Sequence, residues 1–162
     1  MHNNLAWHDL GGSSTAYHVV GVGDFNGDGS ADVLWRDDTS GAWGWSDVNN
    51  NLAWHDLGSS LTAYTVVGVG DFNGDGYSDV LWRNNSSGAW GWSDVHNNLA
   101  WHDLGGSSTA YNVVAVGDYN GDNAADVLWR NNTSGAWGWS DVNNGNAWHD
   151  LGGSSTAYKV VA

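Results

Sequence analysis

Three features of this sequence predict an all-β fold built from repeated four-stranded sheets. The chain repeats itself every 47 residues, a spacing marked by Trp7, Trp54, Trp101 and Trp148 and again by Asp24, Asp71 and Asp118. Its 24 Gly, 13 Trp and 6 Tyr, with no Pro, weaken helices and suit strands. Its apolar segments are short and separated by clusters of Asn, Asp, Gly and Ser. A period of roughly 40–50 residues carrying four strand-like segments is that of a β-propeller blade. The copies run 2–48, 49–95 and 96–142, with a partial copy at 143–162, and 1–162 reads as a single repeat domain. The first copy matches the second at 38 of 47 positions and the third at 40 of 47, as recent duplication or design from a consensus would leave them.

Each element can be justified in order. "AYHVVGVGDF" (16–25) is apolar and β-branched, the expected first strand. "ADVLWR" (31–36) follows an Asp-rich loop as the second, and "DDTSG" (37–41) has turn composition. "AWGWSDV" (42–48), the third, alternates: Trp43, Trp45 and Asp47 on one face, Ala42, Gly44 and Ser46 on the other. Bulky rings on such a strand are expected to fit against the bare backbone of a neighbouring sheet. "NNN" (49–51) is a turn, "LAWHDL" (52–57) the fourth strand and "GSSLT" (58–62) the link to the next blade.

Three blades leave two sheet faces uncovered, and propellers usually close with about 4–8 blades. The expected remedy is a homodimer forming a six-bladed ring. A seven-bladed ring competes, because 162/47 gives about 3.4 copies per chain. Extra strands expected at Leu5–Leu10 and Tyr158–Ala162 could exchange between subunits, pair where the ring closes, or fray.

Bulk properties exclude several functions. Eighteen acids against four bases give a formal charge of −14, which argues against nucleic acid and anionic membrane surfaces as partners. No apolar run is long enough for a membrane span, and no secretion signal opens the chain, so any such signal is expected to be absent or removed. Cysteine is absent, and every acid is Asp.

Nine of the eighteen Asp lie in three loops. In the first, Asp24, Asn26, Asp28 and Asp32 place side-chain oxygens at positions 1, 3, 5 and 9, with the Ser30 carbonyl at position 7. The second supplies Asp71, Asn73, Asp75, Asp79 and the Tyr77 carbonyl; the third supplies Asp118, Asn120, Asp122, Asp126 and the Ala124 carbonyl. Six or seven hard oxygens around a sharp turn suit Ca²⁺, whereas Zn²⁺ and Cu²⁺ would want imidazole or thiolate. An EF-hand is excluded because its position 12 would be Glu, not Trp35, and a nonapeptide β-roll because the motif recurs only every 47 residues. A metal-free Asx-rich hairpin turn is the alternative, at the expense of uncompensated carboxylate repulsion. Asn123 replaces the position-6 Gly in the third loop, which is therefore expected to bind more weakly.

"GVGDFNGDGSADVLWR" (21–36) and its copies at 68–83 and 115–130 resemble the FG-GAP/VCBS repeat of integrin α-subunit propellers and secreted bacterial proteins. The resemblance covers essentially the whole chain. It implies blades whose first two strands are joined by a Ca²⁺-binding loop, an extracellular or secreted setting for a natural chain, and none for a designed one. "LWR" stands where integrin blades carry Gly-Ala-Pro, so integrin-type partner binding is not implied.

Catalysis is not expected. The Asp recur with the repeat rather than forming one asymmetric site, and no G-x-S-x-G, H-E-x-x-H or phosphate loop occurs. Adjacent His and Asp, as at His55-Asp56, face opposite sides of a strand. The expected function is a structural or adhesion scaffold. A multivalent lectin is the alternative, since aromatic faces stack on sugars and the resemblance extends to lectins with inter-blade sugar sites. Its candidate residues are Trp43, Trp45, Trp54 and His55, with Trp90, Trp92, Trp101 and His102 one period on. The same tryptophans are equally expected as inter-blade core, and Arg36, Arg83 and Arg130 as partners of nearby Asp.

Overall fold

A computed structural model describes residues 14–157. The strands expected at Leu5–Leu10 and Tyr158–Ala162 lie outside that range. Among the described residues the chain is all-β, with twelve strands in three four-stranded antiparallel sheets. The first sheet holds β1 (His18–Gly23), β2 (Asp32–Arg36), β3 (Ala42–Asp47) and β4 (Ala53–Ser59). The middle sheet holds β5 (Thr65–Gly70), β6 (Asp79–Arg83), β7 (Ala89–Asp94) and β8 (Ala100–Gly106). The third holds β9 (Tyr111–Gly117), β10 (Asp126–Asn131), β11 (Ala136–Asp141) and β12 (Ala147–Gly153). In each, strands pair in chain order. Every sheet therefore draws its last strand from the repeat copy that follows, and β12 comes from the partial copy.

Local chemistry sets the turns. Asp47 caps a single 3₁₀ turn, Val48–Asn50, by accepting from the Asn50 N–H, and Asn51 then takes the left-handed conformation that Asn tolerates. Between β3 and the preceding turn, Gly41 has φ +75° and accepts from the Ser60 N–H at 2.9 Å, pinning the inter-sheet link. A Cβ at Gly41 would collide with the Ser60 carbonyl, so glycine is required there twice over.

The sheets stack face to face, and two apolar clusters form between them. The first joins Phe25, Leu34, Trp43 and Trp45 of one sheet to Val80 and Trp82 of the next. The second repeats it with Phe72, Leu81, Trp90 and Trp92 against Val127 and Trp129. At the heart of each, indoles meet edge to face, with centroids 4.8 Å apart for Trp43–Trp82 and 4.7 Å for Trp90–Trp129. Arg36 and Arg83 lay their guanidinium groups over the same Trp82 and Trp129 rings at 5.2 and 5.3 Å.

The expected fit of rings against bare backbone is realised differently. Gly44 is covered by Trp54 of the adjacent strand in its own sheet, as Gly91 is by Trp101 and Gly138 by Trp148. Bare backbone meets a neighbouring sheet instead at Gly21 and Gly68, which lie under the Val69 and Val116 methyls.

Candidate metal centre

Each acidic loop connects the first two strands of its sheet. Asp24 organises the first: its Oδ1 accepts from the N–H groups of Gly27 (2.7 Å) and Asp28 (3.1 Å), and its Oδ2 from Gly29 (2.8 Å). Asn26 Oδ1 accepts from the Asp28 N–H and Asp28 Oδ1 from the Ser30 N–H, continuing the Asx turns. Asp71, Asn73 and Asp75 reproduce these bonds in the middle loop. Asp118, Asn120 and Asp122 do so in the third, where Asn123 supplies the position-6 N–H with φ +68°. Gly29 and Gly76 occupy the same conformation with φ +83° and +89°. The backbone donors, the Gly121 N–H foremost, hold the Asp118 carboxyl below its ordinary range.

The position-9 carboxylates are different in kind. Asp32, Asp79 and Asp126 are fully buried. Asp32 and Asp79 each accept two backbone bonds, from Phe25 and Val48 and from Phe72 and Val95. Asp126 Oδ2 accepts from the Tyr119 N–H, but its Oδ1 is buried without a hydrogen-bond partner, although the Val142 N–H still lies close enough to favour its charge. Burial pushes all three carboxyls upward, and neighbouring acids add to it: Asp47 and Asp28 at Asp32, Asp94 and Asp75 at Asp79, Asp141 and Asp122 at Asp126. Asp79 is pushed up to about 8. The middle sheet is covered on both faces, and its acid is the most desolvated.

Sequence reasoning missed Asp47, Asp94 and Asp141. Each ends the third strand of its sheet, and the first two are tied to the acidic loop. Asp47 Oδ2 accepts from Asn26 Nδ2 at 3.2 Å, and Asp94 Oδ2 from Asn73 Nδ2 at 3.1 Å, which turns each amide oxygen back into its loop. In the third sheet Asp141 Oδ2 accepts instead from Asn144 Nδ2. The signal was present: Asp47 and its copies are the one acid in each third strand and recur with the period.

The donor set fits a hard divalent cation in kind, being carboxylate, amide and backbone oxygen throughout. Among the described residues no three acidic or imidazole side chains converge closely enough to hold a metal as they stand. An ion would have to draw the carboxylates at positions 1, 5 and 9 inward. No ion pair to Asp32 or Asp79 is found among the described residues; Arg36 pairs with Asp38, outside the loop, at 2.8 Å. Arg83, expected to pair with an acid, donates to Ser107 Oγ and the Ser108 carbonyl. Adjacent loops are tied to each other, the Ser78 N–H donating to the Asp24 carbonyl and the Ala125 N–H to that of Asp71.

The aromatic candidates divide. Trp43, Trp45, Trp90 and Trp92 are buried, and their ring faces are taken up by core contacts. His55 and His102 stack flat on Trp45 and Trp92 with centroids 3.8 Å apart. Trp54 and Trp101 are half exposed on the opposite face of their sheets. Trp101 and Tyr64 meet edge to face in a cleft of about 670 Å³ between the first and middle sheets, floored by Trp82 and lined by Leu57, Leu99 and Asp103. A narrower copy, about 290 Å³, holds Trp148 and Tyr111 between the middle and third sheets.

Together these elements define a repeat protein of stacked four-stranded antiparallel sheets, each carrying an acidic loop between its first two strands. The model of the FG-GAP-like repeat matches residues 24–82 and 71–129, and the chain belongs to that family. No curated protein and no solved structure gives a significant match to it.

Proposed function

We propose that this chain is a calcium-loaded β-propeller scaffold, with one Ca²⁺ in each acidic loop and no catalytic role. The observation that carries this reading is the threefold recurrence of a fully buried carboxylate on which two further acids act unfavourably. Such a group is unfavourable unless protonated or matched by a cation. Asp24, Asn26, Asp28, Asp32 and the Ser30 carbonyl, with their equivalents, would hold the ion. Three ions would take the formal charge from −14 to −8. Binding confined to the folded state stabilises it by mass action, and the millimolar calcium found outside cells fills even modest sites. Calorimetric titration of chelator-stripped protein is expected to give three Ca²⁺ per chain and a melting temperature raised by several degrees. Heats of dilution alone, with an unchanged melt, would overturn it.

A second reading, carbohydrate binding, is favoured by the clefts that pair Trp101 with Tyr64 and Trp148 with Tyr111. A half-exposed indole beside serine hydroxyls and Asp103 offers both stacking and hydrogen bonding to a sugar ring. A glycan array in calcium, with Trp101→Ala as control, tests it; an empty array leaves the scaffold reading alone.

A further inference from the structure

Both sheet-to-sheet interfaces join the same two surfaces. A front face, bearing Leu34, Trp43, Trp45 and Leu57, packs on a back face bearing Val66, Val69, Val80 and Trp82. Among the described residues, the third sheet's front face and the first sheet's back face have no sheet against them. We infer that copies of this chain associate head to tail, the third sheet's front face of one copy packing on the first sheet's back face of another.

The uncovered surfaces are the two halves of an interface the chain already builds twice. On the back face Val19 and Val22 are 50% and 57% exposed, whereas their equivalents Val66, Val69, Val113 and Val116 are packed into the clusters. On the front face Tyr119 and Leu151 are 41% and 47% exposed, where Phe25 and Phe72 are buried and Leu57 and Leu104 packed. Trp35 also differs from its equivalents in hydrogen bonding. Trp82 and Trp129, each met by an indole of the preceding sheet, donate Nε1–H to Ser93 and Ser140 Oγ at 3.1 Å. Among the described residues Trp35 has no such indole against it, and its Nε1 is buried without a partner.

One residue makes the junction unlike the internal interfaces. Gly21 and Gly68 lie so close to the Val69 and Val116 methyls that a Cβ on either would collide with them. The third copy has Ala115 at this position. Its methyl falls where Val22 of the neighbouring chain would sit, so the junction opens slightly at its innermost strands and is weaker than the packing within a chain.

The inference rests on the propeller part of the proposed function and not on its calcium. Sedimentation velocity of the full chain, with calcium and again with chelator, is the test. Wild type is expected as a concentration-dependent oligomer, a closed dimer at twice the 17.3 kDa chain mass. Val22→Lys and Leu151→Lys each remove one face and are each expected to be monomeric. Mixed in equal amounts they still offer one intact front and one intact back, and are expected to form a 1:1 complex. Ala115→Gly is expected to tighten association by about tenfold or more. Circular dichroism confirms folding, with Val19→Lys and Tyr119→Lys as replacement variants. A monomeric wild type, dimerisation by either lysine variant alone, or a mixture that stays monomeric would each overturn the inference. Loss of calcium binding with association intact would overturn only the metal reading.

Discussion

The middle and first sheets share nearly all their residues yet occupy different environments. Every residue of β6 is buried, whereas Val33 and Trp35 in β2 are only partly covered. The Asp79 carboxyl is pushed up to about 8, while Asp32 is also raised but without so large a change. Sequence identity between repeats therefore does not carry energetic identity. What a repeat contributes depends on whether a neighbour covers both of its faces.

The sharpest way to break this comparison is to truncate the same tryptophan in both sheets. Trp82→Ala removes a ring held by Trp43, Arg36 and Ser93, and is expected to destabilise by about 3–5 kcal/mol in chemical denaturation. Trp35→Ala, measured on chains kept monomeric, is expected to cost clearly less. Equal losses would show that the second face does not matter.

Next in size is the response to pH in metal-free buffer. The folded-state pKa of Asp79 lies above its ordinary 3.8, so the folded chain holds this proton more tightly than the unfolded one. Its contribution to stability is complete below pH 4 and is lost as pH rises towards 8. Asp79→Asn is expected to flatten that decline in urea titrations at successive pH values, and Asp32→Asn to flatten it less. Saturating calcium is expected to reverse the trend, because the ion binds the ionised form.

Asp94 and Asp141 sharpen the comparison at the loops. Asp94→Asn loosens the bond that aims the Asn73 amide and is expected to lower calcium affinity at the middle loop by about tenfold. Asp141 makes no such bond to Asn120, its partner there being Asn144, so Asp141→Asn is expected to change the third loop less. Calorimetry resolves the two. Smallest of all, Asn123→Gly relieves a left-handed non-glycine residue and is expected to raise third-loop affinity only a few-fold.

Much of this architecture is legible in the sequence, because a strand's alternation and a turn's Asx and Gly residues act over a few neighbours. The strand at 31–36 and the turns at 37–41 and 49–51 fall where composition puts them. Less legible is which partner a side chain meets. Alternation puts Trp43 and Trp45 on one face, yet only the assembled stack shows that face closed against Val80 and Trp82. His102 and Asp103 do face opposite sides, but His102 Nε2 comes within 3.9 Å of Asp94, eight positions back in the chain. The acids that end β3 and β7 are not legible because their meaning depends on a loop more than twenty residues away that folds back over each.

A surface that fits its own reverse side has an evolutionary corollary. Recombination between near-identical stretches adds or removes whole units, and every product inherits matching leading and trailing contacts. Length in such a lineage becomes a freely varying trait, and the position of Ala115 is where a single methyl can favour ending a stack over extending it.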